Sequence, residues 1–158
     1  MPEIKTFPKK QFVGTHKQMS FTNNKTHELW SNFMPRRKEI PNSVGIELYS
    51  IEIYPETYFD DFNPNREFEK WAAVEVTDFN TMPNRMESLT IPEGAYAVFI
   101  HKGPASEGPK TYNYIFKEWL PNSNFLLDHR PHFAVMGEKY KRNDPDSEEE
   151  LWIPIKPE

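Results

Sequence analysis

The chain contains two copies of one pattern, and this repetition constrains its fold more than any other feature. Residues 29–35 read Leu-Trp-Ser-Asn-Phe-Met-Pro, and residues 115–121 read Ile-Phe-Lys-Glu-Trp-Leu-Pro. Upstream of each, a segment rich in apolar residues ends in His-Lys, at positions 16–17 and 101–102. A strand followed by an aromatic helix that ends in proline therefore occurs twice, in the same order. Repeated units that bury their apolar faces together often leave a ligand groove where they meet.

The composition excludes several classes of protein. The 158 residues suit one domain over residues 1–158, with pseudo-repeats at about 9–79 and 86–157. The net charge of −5 predicts no direct binding to nucleic acid, and the absence of cysteine removes disulfides, thiol nucleophiles and thiolate metal sites. The N-terminus lacks the apolar core of a signal peptide, and no run is long enough to span a membrane. We therefore expect a cytoplasmic protein without membrane contact.

The spacing of apolar residues predicts an α+β fold. Helical spacing covers about 25–34 and 110–120, and residues 148–150 are interpreted as a solvated acidic turn. In the segment 44–54, both sides of the alternating pattern are partly apolar, which indicates an interior strand, and one side carries Ile46, Leu48, Ser50, Glu52 and Tyr54. One helix per repeat indicates two helices on one face of a sheet. Strands are predicted over 9–20, 44–54, 68–76, 86–91, 95–102, 133–137 and 151–155.

Three segments resemble the GyrI-like effector-binding family, which includes the drug-sensing domains of multidrug-responsive transcription activators. They are residues 96–104 (YAVFIHKGP), 114–123 (YIFKEWLPNS) and 147–155 (SEEELWIPI). The resemblance implies a tandem β-α-β-β unit, a mixed sheet with two principal helices on one face, and an aromatic small-molecule groove between the helices. Because such a domain fills the chain, it also implies a stand-alone form without the helix-turn-helix of the regulators.

One position departs from the family pattern. Members carry a buried acidic residue after the phenylalanine of the strand at 133–137, where it meets cationic ligands or takes part in hydrolysis, and this chain has Ala134 there. An unpaired buried carboxylate costs several kcal/mol, so its absence should stabilise the empty fold and weaken that chemistry. Glu75 or Glu118 could supply a substitute charge, although a solvated or ion-paired surface position suits each better.

Aromatic residues supply most of the candidate binding site, because flat or cationic ligands stack on such rings. Spacing alone fits a core role for most of them equally well. No His-Glu-x-x-His pattern occurs, so we expect no metal and no cofactor, and His16, His101, His129 and His132 are interpreted as packing residues. The candidate ligand-binding residues are Trp30, Tyr49, Trp71, Glu75, Tyr112, Trp119, Phe133, Ala134, Met136 and Trp152.

Two functions remain, and the resemblance favours the first. In that one, the domain senses or sequesters small hydrophobic molecules, cationic drug-like compounds among them. In the second, it hydrolyses strained rings of DNA-alkylating natural products with a glutamate general base, an activity that Ala134 would impair. A weaker third hypothesis is a protein-binding inhibitor, since the family's namesake acts on DNA gyrase. The sequence leaves open the ligand, any catalysis and any protein partner.

Overall fold

The computed structural model describes residues 2–61 and 63–158. These residues include two α-helices, and each continues into a turn of different helical type; a short 3-10 helix, Ala105–Glu107, precedes the second. Helix α1 (Thr26–Phe33) runs into the 3-10 turn Met34–Glu39, and α2 (Gly108–Tyr114) runs into the π-helical turn Ile115–Trp119. None of the described helices has the length and apolar character that crossing a membrane requires. The strands are β1 Glu3–Phe7, β2 Lys10–Met19, β3 Leu48–Ile53, β4 Phe68–Val76, β5 Glu87–Ile91, β6 Gly94–Lys102, β7 Phe125–Leu127, β8 His132–Met136 and β9 Glu148–Pro157.

The sheet shows the duplication directly. Its strand order is β1-β6-β9-β8-β3-β4-β2-β5, and β7 pairs with β9. The units β2-α1-β3-β4 and β6-α2-β8-β9 are therefore arranged symmetrically about the β3–β8 pair, where Ser50 lies opposite Ala134. The α+β class and the tandem β-α-β-β unit are confirmed. Every strand pair that the structure describes is antiparallel, so the sheet is not mixed in strand direction as the resemblance implied.

Both helices cover one face of the sheet, which we call the helix face. Paired residues of adjacent strands point to the same side, and the pairings join four residues into one row across β4, β3, β8 and β9. Leu29 of α1 packs in the same core cluster as one end of this row, and Ile115 of the π turn packs with the other end. The predicted placement of the helices is confirmed. The four residues of the row are Ala72, Ser50, Ala134 and Leu151.

The other face, which we call the inner face, is the concave side of a strongly curled sheet. Strands β1 and β2 lie six places apart in the sheet, about 29 Å if it were flat. Only Pro8 and Lys9 connect them, and the three Cα–Cα steps from Phe7 to Lys10 span at most about 11 Å. The two ends of the sheet must therefore approach each other. Aromatic rings fill the hollow, and Phe7 of β1 lies 4.8 Å from Phe133 of β8 between ring centroids.

Several predicted boundaries are wrong, each for a local reason. Residues 148–150 are not a solvated turn but the half-buried start of β9, where they pair with β6. Pro35 does not end the chain's helical path, because proline is tolerated at the beginning of the 3-10 turn. Strand β3 begins at Leu48 and not at residue 44. The periodicity of the sequence predicts neither β1 nor β7, since β1 buries only Phe7 and β7 has three residues.

Candidate functional site

Small residues form a floor at the centre of the helix face, between the core clusters of α1 and of the second helix. Ala72, Ser50 and Ala134 lie side by side at the centre of the helix face, and all three are buried. Because none of them rises far above the sheet, the larger residues around them determine the shape and charge of this site. We call the region above this floor, between α1 and the second helix, the groove.

Glu52 places a carboxylate beside this floor. It follows Ser50 by two residues on β3, so its side chain points to the helix face, and only 8% of the residue is exposed. Tyr54 Oη donates a hydrogen bond to Glu52 Oε2 at 3.2 Å. Lys70 of β4 and His132 of β8 lie opposite Glu52 on its two sides. Burial raises the pKa of Glu52, although Lys70 and the Tyr54 hydrogen bond oppose this effect.

A second carboxylate enters from the other repeat. Glu149 of β9 lies opposite His101 of β6, and burial raises the pKa of Glu149, with a further increase from the charge of Glu52. His101 and Lys70 act against this shift. Burial and the charges of both glutamates also raise the pKa of Tyr112 on α2 well above its ordinary value. The two carboxylates and the Tyr112 hydroxyl therefore share one region of the groove.

A cluster of four rings closes one side of the groove. Tyr112 and Phe116 of the second helix are nearly parallel, with ring centroids 6.5 Å apart. Phe59, from the loop between β3 and β4, stacks on Phe116 at 5.2 Å and on His132 at 5.5 Å. Burial lowers the pKa of His132 to about 3, so its ring is neutral at physiological pH. Phe116 and His132 also contact each other, with ring centroids 6.1 Å apart, so Phe59, Phe116 and His132 form a triangle of mutually contacting rings.

The loop that carries Phe59 is anchored to both halves of the molecule. Its Tyr58 is 1% exposed and packs in the core cluster of α1. Arg66 Nη1 donates to the carbonyl of Thr57 at 2.8 Å, and its guanidinium lies 5.5 Å from the Tyr58 ring centroid. Because Phe59 contacts α2 while Tyr58 packs on the α1 side, the loop spans the groove.

Five of the ten predicted site residues lie on the helix side of the sheet. Ala134 is part of the floor, and Tyr112 belongs to the ring cluster. Met136 shares the floor strand β8 and lies opposite Leu48. Trp30 packs edge-on against Phe33, with ring centroids 5.9 Å apart. Trp119 contacts Phe99 and Phe125, away from Phe116 and its cluster.

The other five lie on the inner face, and the sheet separates them from the groove. These residues are Tyr49, Trp71, Glu75, Phe133 and Trp152.

The two glutamates suggested as substitutes for the missing acidic residue do not reach the groove. The Glu75 carboxylate pairs with Lys10 Nζ at 3.2 Å on the inner face. Glu118 is exposed to solvent. Both therefore follow the surface interpretation. Glu52 and Glu149 supply the buried negative charge instead, from β3 and β9.

Sequence reasoning did not identify four residues of the groove, which are Glu52, Glu149, Lys70 and Phe59. For Glu52 a signal existed, because the alternation of 44–54 placed it with Ser50 and Tyr54 on one side of an interior strand. For Glu149 the run of three glutamates favoured a solvated turn. Phe59 lies in a Pro- and Asp-rich loop, where no periodicity indicates the direction of a side chain.

Known proteins are similar to this chain in sequence and in fold. The transcriptional regulator BrlR of Pseudomonas aeruginosa is 30% identical over 129 residues, which are 81% of this chain and 45% of BrlR. The chain thus spans less than half the length of that relative.

Among solved structures, SAV2435 bound to tetraphenylphosphonium has a TM-score of 0.72 at 11% identity, over 99% of this chain and 94% of that chain. The C-terminal domain of EcmrR has a TM-score of 0.73 at 14% identity, over 100% of this chain and 98% of that one. A hydrolase encoded by lin2189 of Listeria innocua has a TM-score of 0.63 at 14% identity, over 98% and 91%. At these identities the structural likeness supports the fold alone. The model of the GyrI-like small molecule binding domain matches residues 1–156, and the chain belongs to this family.

Proposed function

We propose that the groove binds small hydrophobic cations. The positive charge would lie near Glu52 and Glu149, and the flat part of the ligand would stack on Phe116 in place of Phe59. The observation that carries this proposal is the buried carboxylate of Glu52, which forms no ion pair with any described residue and accepts a hydrogen bond from Tyr54.

The energetics of burial support a cationic ligand. An ionised carboxylate that is removed from water without a partner costs several kcal/mol. A ligand cation would offset this cost, whereas a neutral ligand would leave it in place. Rings beside the carboxylates add to the preference, because the face of an aromatic ring attracts a cation by roughly 0.5–2 kcal/mol.

The relatives support the same proposal. The family is one of small-molecule-binding domains, and the SAV2435 structure contains tetraphenylphosphonium, an aromatic cation. BrlR is a transcriptional regulator. We therefore propose that ligand binding by this chain serves to sense or to sequester such compounds.

Calorimetric titration with tetraphenylphosphonium tests the proposal. Glu52→Gln and Glu149→Gln should each weaken binding by about tenfold, equivalent to about 1.4 kcal/mol. Glu75→Gln is the matched control, because Glu75 lies on the inner face and pairs with Lys10. If Glu75→Gln weakens binding and the two groove variants do not, the ligand binds elsewhere.

The affinity should also depend on pH. Burial raises the pKa values of Glu52 and Glu149, so each carboxyl holds its proton to a higher pH than a free glutamate, which titrates at about 4.3. A cation binds the ionised form, so affinity should rise with pH through this raised range and then level off. An affinity that stays constant from about pH 4 upward would contradict the role of these carboxylates.

Hydrolysis is the second candidate, because a carboxylate with a raised pKa beside tyrosine hydroxyls suits a general base. Glu52 would accept a proton from water as the water oxygen bonds to a carbon of an epoxide ring and the C–O bond of that carbon breaks. The released ring oxygen would then take up the proton from Glu52 to complete the diol, and Tyr54 would orient the carboxylate. Incubation with an epoxide-type alkylator, with the diol product followed by mass spectrometry, tests this candidate. Turnover that Glu52→Gln abolishes would support catalysis, and unchanged alkylator would leave binding as the function.

A further inference from the structure

We infer that Lys70 is a built-in counter-ion that makes the groove selective for ligands with a single positive charge. The inference rests on the proposed binding of cations in this groove and adds which cations it accepts.

The position of Lys70 follows from the β-ladder. Lys70 lies opposite Glu52 in the β3–β4 pair, so both side chains point to the helix face beside the groove floor. Its ammonium donates a hydrogen bond to Thr26 Oγ1, at the first residue of α1, at 3.2 Å. Lys70 forms no direct ion pair with a described carboxylate. The hydrogen bond to α1 instead holds its ammonium near Glu52 and Glu149 without a direct contact to either carboxylate.

The duplication makes the arrangement asymmetric. Lys70 precedes Ala72 by two residues, and Ala72 lies opposite Ser50. Glu149 precedes Leu151 by two residues, and Leu151 lies opposite Ala134. Because Ser50 and Ala134 face each other where the two repeats meet, Lys70 and Glu149 occupy equivalent positions with opposite charges.

A count of charges gives the selectivity. Glu52 and Glu149 contribute two negative charges when ionised, and Lys70 contributes one positive charge. His132 is neutral. The count takes His101 in its neutral form, in which Nε2–H donates to the carbonyl of Pro104 at 2.9 Å and Nδ1 accepts from the Thr111 hydroxyl at 2.7 Å. One negative charge is left for the ligand. A ligand with two positive charges would leave the groove with one net positive charge, which Lys70 repels. A neutral ligand would leave one carboxylate without a compensating charge.

Three flat two-ring probes of similar size test the inference: biphenyl with no charge, N-methyl phenylpyridinium with one, and methyl viologen with two. Binding to the full chain is measured by calorimetry, and the quantity compared is the ratio of the dication and monocation affinities. We expect the wild type to prefer N-methyl phenylpyridinium. Lys70→Met should raise the affinity for methyl viologen about tenfold, which is about 1.4 kcal/mol, and reverse the preference.

The control is Lys17→Met. Lys17 lies opposite Lys70 in the β2–β4 pair but is bound to Glu28, with Nζ 3.3 Å from Oε1, on the side away from Glu52. Lys17→Met should leave the ratio of dication to monocation affinity unchanged, and so should Lys70→Arg, which keeps the positive charge. Lys70→Gln keeps a polar side chain at this site and replaces Lys70→Met if the latter does not fold, as judged by circular dichroism.

The outcomes separate the two proposals. If the wild type binds N-methyl phenylpyridinium in a manner that depends on Glu52, but removal of the Lys70 charge leaves the ratio unchanged, the counter-ion inference is wrong and cation binding stands. If Glu52→Gln does not affect binding of either cation, the proposed function itself is wrong. An equal gain in affinity for all three probes, biphenyl included, would show that Lys70 acts through packing and would overturn the inference.

Discussion

Gly14 of β2 lies on the inner face, directly opposite Ala73 of β4. A Cβ at this position would collide with the carbonyl oxygen of Ala72 and lie 2.7 Å from the Cα of Ala73. These are backbone atoms of a central strand, so they cannot move aside as a flexible side chain could. The absence of a side chain at position 14 therefore lets the two strands pair as closely as they do.

We expect Gly14→Ala to destabilise the fold by about 2–4 kcal/mol, because it forces strand β2 away from its partner. The free energy of unfolding in urea measures this loss. Gly108→Ala is the control, since a Cβ added there, at the start of α2, would meet nothing within 4 Å. That variant should be neutral or slightly stabilising, and a comparable loss at both positions would contradict the steric argument.

The buried carboxyl of Glu52 makes the stability of the ligand-free fold depend on pH. Burial raises its pKa above that of the unfolded chain, so its favourable contribution to stability is present at acidic pH and is lost as pH rises through the folded pKa. Glu52→Gln removes the ionisable group but keeps the shape of the side chain. We therefore expect this variant to be more stable than the wild type at neutral pH, with a difference that shrinks toward about pH 4, where a free glutamate titrates.

Thermal unfolding at several pH values without ligand tests this expectation. Glu75→Gln removes a carboxylate that pairs with Lys10, so it should bring no gain in stability at neutral pH. If Glu52→Gln destabilises the protein at every pH, the hydrogen bond from Tyr54 contributes more than the buried charge costs.

At the level of elements, we expect the loop between β3 and β4 to control access to the groove. Its Phe59 ring packs against both Phe116 and His132, at interplanar angles of 21° and 19°. A flat ligand that stacks on Phe116 must first displace this ring. We expect Phe59→Ala to raise the affinity for N-methyl phenylpyridinium about fivefold, which corresponds to roughly 1 kcal/mol for one stacked aromatic contact.

Calorimetry with the wild type and Phe125→Ala completes this comparison. Phe125 also stacks on an aromatic ring, that of Trp119 in the π-helical turn, with centroids 6.3 Å apart, but it is remote from Phe59. Its removal should leave affinity unchanged. A lower affinity in Phe59→Ala would mean that Phe59 is a wall of the site rather than the occupant that the ligand replaces.

For the whole molecule, the curl of the sheet depends on contacts between strands that are distant in the sheet order. Phe7 of the edge strand β1 is 3% exposed and contacts Tyr96, Phe133 and Trp152. We expect Phe7→Ala to destabilise the protein by about 3–5 kcal/mol, because it empties the part of the core where the ends of the sheet meet. Urea unfolding measures the effect.

Ile4→Ala is the control within the same strand, since Ile4 is 49% exposed. It should change stability by about 0.5 kcal/mol or less. Equal effects at the two positions would indicate that β1 contributes through its backbone pairing with β6 and not through the aromatic core.

The repeat and the periodicity of its apolar residues are properties of the sequence, and they determined much of the fold. The two copies of strand, aromatic helix and further strands were predictable, as was the placement of both helices on one face. A helix that buries Leu29 and a π turn that buries Ile115 need an apolar sheet face, and two equivalent units find it on the same side.

The tertiary structure alone decided which face of each strand meets the helices. Alternation divides Trp71 from Ala72 and Phe133 from Ala134, but it does not tell which of each pair lies below the helices. The curl of the sheet settles this, because the large rings fill the concave inner face and the small residues are left for the groove. The same decision brought Glu52, Lys70 and Glu149 together from three strands and two repeats. Their sequence separations carry no sign of this proximity, since it arises from strand pairing across the junction of the repeats.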